Sequence, residues 1–110
     1  MNPQTIKILF FSMIILAVAL EVIADIFLKK WSIENKNSLL ILGLGIYLIG
    51  TIFWAFSLKY EFLSKAVSIF TVLNLILVVL VGVLIFKEDL STINKIGIAL
   101  GAISIVLIEI

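Results

Sequence analysis

The sequence predicts an all-α membrane protein with four transmembrane helices. Two observations on composition carry this prediction. The 110 residues are 64% hydrophobic and 14% charged, whereas about 25% of the residues in a soluble domain are charged. The mean hydropathy is +1.35. In addition, most charged residues gather between long apolar runs. We therefore expect one four-helix membrane domain over residues 1–110, without a soluble domain.

The first span is predicted over residues 6–28. Lys7 lies at its start, and the segment Lys29–Trp31 ends it with two snorkelling cations and an interfacial aromatic ring. A polar loop, residues 32–38, is expected to follow.

The second and third spans, predicted over residues 39–58 and 66–86, contain no charged residue. Glycine is frequent in membrane helices because it lets two helices approach closely. The second span contains three glycines: Gly43, Gly45 and Gly50. The polar atoms of the third span come from Ser68, Thr71 and Asn74. Short charged turns at 59–61 and 87–89 flank the third span.

The fourth span, residues 90–110, has the shortest charge-free run. Lys95 and Glu109 leave thirteen uncharged residues between them. At ~1.5 Å per residue these cover about 20 Å of the ~30 Å hydrocarbon core. Snorkelling of both charged side chains would make up the difference, and a re-entrant or tilted helix is the alternative. Gly97 and Gly101 form a small-residue face that we expect at a dimer interface.

The lysines give only a small preference for one orientation in the membrane. Four spans put both termini on one side, with three lysines there and five on the other. Positive residues favour the cytoplasm, so the count leans towards external termini. Insertion in one orientation and insertion in both remain open.

The residue types that the chain lacks exclude several classes of function. Without Cys or His there is no disulfide framework and no thiolate or imidazole for metal binding or catalysis. The basic residues are all Lys, so bidentate recognition of nucleic-acid phosphates has no arginine to carry it. We therefore expect no metal, no cofactor, no nucleic-acid partner and no enzymatic activity.

Glu21 is the candidate functional residue because it lies deep within the first span. An acid at the middle of a membrane helix costs roughly 2.5 to 3.5 kcal/mol, which spanning alone does not require. No cation lies one turn away, so the carboxyl group can hold a proton or exchange it for a cation. Competition for one site would couple the two movements in opposite directions. A hydrogen bond to Ser68 or Asn74, serving packing only, is the alternative.

Asp25 lies one turn after Glu21, nearer the end of the span. It is spaced for an interfacial ion pair with Lys29 at i+4, and this interpretation is favoured over a role as substrate ligand. Four helices from one chain barely enclose a pathway. We therefore expect a homodimer, which would place two Glu21 carboxyl groups near one site, where they titrate as a unit.

The first-helix segments Leu20–Ala24 and Phe27–Lys29, with the chain length and four spans, resemble the small multidrug resistance family of the drug/metabolite transporter superfamily. The segments Leu58–Tyr60 and Phe86–Glu88 and a last helix containing Gly97 fit the same layout. The resemblance implies antiparallel, dual-topology homodimers in a bacterial or archaeal cytoplasmic membrane. It also implies exchange of protons for cationic or guanidinium-bearing compounds or polyamines, with Glu21 serving both in turn.

The third helix departs from the family pattern. Val67 replaces a usual Tyr, Phe70 a usual Trp, and Val72 and Asn74 the usual glycines. The aromatic cage for bulky quaternary drugs is therefore weaker. Trp54 lies about two residues from the family's Trp in the second helix, and we carry it over as a pocket residue. An acid at Asp25 is also unusual, and it would suit a substrate with two positive charges.

The leading hypothesis is a proton-coupled antiporter that exports small organic cations, with polyamine-like, guanidinium and quaternary ammonium compounds as candidates. Its expected partners are protons, the cation, the bilayer and a second copy of the chain. The substrate and proton sites are assigned to the following residues: Glu21, Asp25, Trp54, Ser68, Phe70 and Asn74. The alternatives are a flippase for a lipid-linked or neutral metabolite and a small membrane subunit that does not transport.

Overall fold

The protein, described from a computed structural model, is all-helical over the described part of the chain, residues 2–110 apart from the side chain of Glu109. Four helices follow one another along the chain: α1 Pro3–Glu34, α2 Asn37–Ser57, α3 Leu63–Leu84 and α4 Thr92–Glu109. The expected all-α class is confirmed. The helices belong to two compact units, a first that ends at Ala66 and a second that begins at Val67.

The helix α1 is longer than the predicted first span at both ends. At its start, the side chain of Asn2 accepts a 2.7 Å hydrogen bond from the backbone N–H of Thr5, and Pro3 occupies the first turn. These are the residue types that satisfy and tolerate free N–H groups at a helix start. At its end, Asn35 adopts a left-handed φ of 58° and donates its N–H to the carbonyl of Trp31 at 2.7 Å.

The predicted polar loop over residues 32–38 is therefore wrong in extent. The helix α1 continues to Glu34 and α2 begins at Asn37, so only two residues connect them. The segment contains neither Gly nor Pro to stop the helix earlier. Polarity marks where the chain leaves the apolar layer, but it does not by itself end the helical hydrogen bonding.

The helices α1 and α2 pack as an antiparallel pair. Gly43 of α2 lies against Ala24 and Leu28, and Gly50 lies against Ala17 and Glu21. From Gly43 to Gly50, α2 advances by seven residues, while the opposing residue of α1 moves back by seven, from Ala24 to Ala17. The buried residues of α2 repeat at this heptad interval: Gly43, Gly50 and Ser57. Such a repeat keeps one face of a helix against its partner.

The segment between α2 and α3 carries the short charged turn that the sequence predicts. The Ser57 hydroxyl donates to the Trp54 carbonyl at 2.6 Å, and the Lys59 ammonium lies 5.0 Å from the centre of the Phe56 ring. Lys65 pairs with Glu61 at 3.5 Å across one turn. Being partly exposed, this pair contributes little to stability.

In the second unit, Gly101 of α4 lies against α3, where an added Cβ would meet Val72 at 3.6 Å and Leu75 at 3.9 Å. Ser91 caps α4 by accepting a 3.1 Å hydrogen bond from the Asn94 N–H. The turn before α4 has Lys87 in a left-handed conformation, with φ of 53°.

Over the described residues, three helices are long and apolar enough to cross a membrane, namely α1, α2 and α3. The apolar part of α4, Thr92–Ile108, is shorter. The three spans agree with the predicted membrane protein, and the fourth span stays a prediction. The many exposed Leu, Ile and Phe side chains of α2 and α3 fit a hydrocarbon surrounding rather than water.

Candidate functional site

Glu21 lies on the buried face of α1, where only 7% of the residue is exposed. Five of the seven buried positions described in α1 follow one another at intervals of four and three residues, as in a coiled-coil seam: Phe10, Ile14, Ala17, Glu21 and Ala24. The neighbours one turn away on this face, Ala17 and Ala24, are small. Glu21 is therefore a single acidic group within an apolar seam.

The backbone of α2 passes directly over Glu21 at Gly50. A Cβ added at Gly50 would lie 3.2 Å from the Cγ of Glu21, 3.2 Å from the Cβ of Leu20 and 3.3 Å from the carbonyl oxygen of Ala17. The absence of a side chain at Gly50 is thus what allows α2 to contact the Glu21 side chain this closely.

Tyr47 joins the two acids to form one cluster in the first unit. Asp25 lies one turn from Glu21 on the same helix, and Tyr47, which is 40% exposed, lies near enough to both acids for their charges to act on its hydroxyl group. Tyr47 precedes Gly50 by one turn of α2, which places it opposite the segment that carries the acids. We call Glu21, Asp25 and Tyr47 the acidic cluster. It offers two carboxyl groups and a phenol, which can bind protons and cations.

The structure does not form the expected ion pair between Asp25 and Lys29. Among the described side chains, no Lys29 ammonium lies within salt-bridge distance of Asp25, and Lys29 is exposed while Asp25 is half-buried. The i+4 spacing permits the pair, but the exposed ammonium gains little from a partner in a high-dielectric surrounding. Asp25 therefore remains available to a ligand.

The described side chains also give Glu21 no hydrogen-bond or ion-pair partner. Its interactions are with the like charge of Asp25 and with Tyr47. An acid held for packing alone would be expected to have a hydrogen-bond donor beside it, because most buried side-chain polar groups have one. This arrangement favours a group that acquires its partner from outside the chain.

The other predicted site residues fall into both units. Trp54 lies on α2, one turn after Gly50 and half-buried, in the same unit as the acidic cluster. The remaining three belong to the second unit: Ser68, Phe70 and Asn74. The oxygen of the Asn74 carboxamide is buried and has no hydrogen-bond partner among the described residues. Asn74 is thus a second polar group without a partner.

The two glycines predicted at a dimer interface differ in their surroundings. Gly101 lies against α3 of its own chain. A Cβ added at Gly97 would meet nothing within 4 Å in the described part of the chain. Gly97 therefore leaves a surface on α4 that a second helix can approach, and the dimer contact stays a prediction.

Sequence reasoning missed Tyr47 and the particular role of Gly50. The sequence contained one indication for Tyr47. Its phenol is a polar group inside a charge-free span, where a buried hydroxyl usually needs a hydrogen-bond partner. No sequence signal separated Gly50 from Gly43 and Gly45, since the three differ only in what lies opposite them.

The model of the EamA-like transporter family matches residues 1–110, the full length of the chain. No solved structure gives a significant match. The family description names transporters, and it agrees with the expected drug/metabolite transporter superfamily. It does not single out the small multidrug resistance family within that superfamily.

Proposed function

Because the chain belongs to the EamA-like transporter family, we propose that it is a proton-coupled antiporter that exports small organic cations. Membership and the three apolar helices make it an integral membrane protein of a transporter family. The proton coupling, the substrate class and the small multidrug resistance subfamily are the proposed part. The bacterial or archaeal cytoplasmic membrane, which the resemblance implies, belongs to the same proposal.

The observation that supports the proposal is the setting of Glu21. Only 7% of this residue of a membrane-spanning helix is exposed, and the described residues give its carboxyl group no hydrogen bond and no counter-charge. Ionisable groups inside membrane spans mark substrate and proton pathways because they are costly otherwise. A proton or a bound cation neutralises the carboxylate, so each removes the same cost.

The two ligands exclude each other, which gives the coupling. A protonated Glu21 has no charge to hold a cation, and a cation-bound Glu21 has no free site for a proton. A carrier that changes access only when Glu21 is occupied then moves the two in opposite directions. Since the proton gradient supplies the free energy and occupancy of Glu21 supplies the coupling, the mechanism needs no nucleotide and no metal.

The rest of the acidic cluster supports an organic cation as the substrate. The phenol ring of Tyr47 can receive a cation on its face, and its hydroxyl can accept a hydrogen bond from an ammonium or guanidinium group. Asp25 adds a second carboxyl group one turn from Glu21, where Cβ atoms are ~5–6 Å apart. Two ammonium groups on a short alkyl chain fit this spacing, so we propose polyamine-like dications as the best substrates.

The proposed transporter is an antiparallel homodimer. One chain offers a single acidic cluster, and a second copy would enclose the site and bring its own Glu21. The open face at Gly97 of α4 supports a contact between copies. In such a dimer, Asn74, Ser68, Phe70 and Trp54 complete the substrate site in our proposal, with the unpartnered Asn74 carboxamide available to hydrogen-bond the substrate.

Transport by the purified protein in liposomes tests the proposal. With an acidic interior and a neutral exterior, we expect uptake of putrescine, which collapses when the pH difference is dissipated. Protein-free liposomes treated in parallel give the background. A flippase for a neutral metabolite would give no response to the pH difference. A subunit that does not transport would give no uptake under any gradient, and either result contradicts the proposed function.

A further inference from the structure

Gly50 differs from the other glycines of α2 because an added Cβ there would meet the side chain of Glu21 and the Cβ of its neighbour Leu20. Two of the three atoms nearest an added Cβ belong to rigid parts of α1, the Leu20 Cβ at 3.2 Å and the Ala17 carbonyl oxygen at 3.3 Å. Neither can rotate away as a side-chain end can. A methyl group at Gly50 is therefore accommodated by a shift of α2 relative to α1 of a few tenths of an ångström, rather than by a local rotamer change.

The third atom that an added Cβ would meet is the Cγ of Glu21, at 3.2 Å. The Cγ carries the carboxyl group, so the position of this group relative to α2 depends on the contact. Tyr47 lies one turn earlier on the same helix, and a shift of α2 moves Tyr47 relative to both acids. The position of the Glu21 carboxyl group against α2 thus depends on the absence of a side chain at Gly50.

Building on the function proposed above, we infer that Gly50 is a positioning residue, whose missing side chain lets the Glu21 carboxyl group lie against α2 in the position that cation binding requires. Gly50 itself does not touch the cation. It acts through the close approach of the two helices, and binding geometry tolerates only small displacements of a charged ligand group.

Two glycines on the same helix provide matched controls. An added Cβ at Gly43 would meet the Leu28 side chain at 2.9 and 3.0 Å and the Ala24 carbonyl at 3.3 Å, so it disturbs the same seam away from Glu21. The end of the Leu28 side chain can turn aside, but the Ala24 carbonyl is as rigid as that of Ala17. An added Cβ at Gly45 would meet nothing within 4 Å in the described part of the chain. Gly43→Ala therefore reports on a disturbance of the same helix contact away from Glu21, and Gly45→Ala on the substitution itself.

The test measures proton release when putrescine is added to the purified protein in a weakly buffered detergent solution, over a range of pH. For Gly50→Ala we expect the putrescine concentration at half-maximal release to rise about tenfold, the change that follows from weakening one charged hydrogen bond. We also expect a change in the pH at which proton release from Gly50→Ala is half-maximal. Gly45→Ala is expected to keep the wild-type concentration and pH profile, and Gly43→Ala, which does not meet Glu21, is expected to change them less than Gly50→Ala.

The possible outcomes distinguish a failure of this inference from a failure of the proposed proton-coupled antiport. If the wild-type protein releases no protons, the proposed function fails. If it does and Gly50→Ala behaves like wild type, or like an equally affected Gly43→Ala, the positioning role is wrong. Where Gly50→Ala does not fold, the double variant Leu20→Gly, Gly50→Ala removes the rigid Leu20 contact while the new methyl still meets Glu21. The same weakening is expected there, and wild-type release would overturn the inference.

Discussion

Replacing Glu21 by Gln is expected to abolish pH-driven putrescine uptake while leaving a folded protein. Glutamine keeps the size and the hydrogen-bonding capacity of the side chain but cannot exchange a proton. Loss of one partner of a desolvated charge pair weakens binding by roughly two orders of magnitude or more. We therefore expect uptake by Glu21→Gln at the level of protein-free liposomes.

Stability separates this expectation from a packing role of Glu21. Because the described residues give its carboxyl group no partner, Glu21→Gln should unfold at a temperature equal to or above that of the wild-type protein. Glu34→Gln is the matched control, since Glu34 is an exposed acid on the same helix. Normal uptake by Glu21→Gln, or a lower unfolding temperature with the loss of uptake, would contradict the account.

Asp25→Asn is expected to remove the preference for doubly charged substrates. Putrescine and butylamine share a four-carbon chain and differ in one ammonium group, so they isolate the contribution of the second charge. The charged contact at Asp25 should be worth about tenfold in affinity for putrescine. Competition by putrescine should therefore weaken by that factor in Asp25→Asn, whereas competition by butylamine should stay unchanged.

Lys29→Gln provides the control for Asp25. If Asp25 served an interfacial ion pair, Lys29→Gln would free it and strengthen putrescine binding, and both variants would lower the unfolding temperature. The structure shows no such pair among the described side chains, so Lys29→Gln should change neither quantity. Equal loss of putrescine and butylamine binding in Asp25→Asn would rule out a second-charge site there.

The sequence predicted the helical class well because hydrocarbon leaves few choices to a backbone. Every N–H and C=O group in a membrane span must be paired within the chain, and long apolar runs therefore become helices. The ends of the helices were harder to predict. Residues 32–34, with Ser32 and Glu34 polar, continue α1 as an exposed extension. Leaving the apolar layer removes the need for a helix but does not oppose it.

The candidate site could be predicted where placing a residue in the membrane costs free energy by itself, as for Glu21. It was harder to predict where a residue's role depends on what lies opposite it, as for Tyr47 and Gly50. Glu21 stands out because an acid in an apolar run is expensive wherever the other helices lie. The roles of Tyr47 and Gly50 depend on the register of α2 against α1, which comes from the match of Gly43 with Leu28 and of Gly50 with Glu21. Without an atom-level register, three glycines of one span are equivalent.

The favoured pairing of Asp25 with Lys29 illustrates a further limit of spacing. Residues at i and i+4 lie on one face of a helix, but spacing does not state whether both side chains stay near the surface. Here Lys29 is exposed and Asp25 is half-buried. The acid therefore remains with Glu21 and Tyr47 in the cluster.

The central claim is that a proton and an organic cation compete for Glu21. Proton release upon addition of putrescine to the purified protein tests it most directly, because it needs neither a membrane nor a transport direction. The account predicts that putrescine releases protons in a saturable manner from the wild-type protein and from Glu34→Gln, and that Glu21→Gln releases none. Putrescine binding without proton release, or unchanged release from Glu21→Gln, would contradict it.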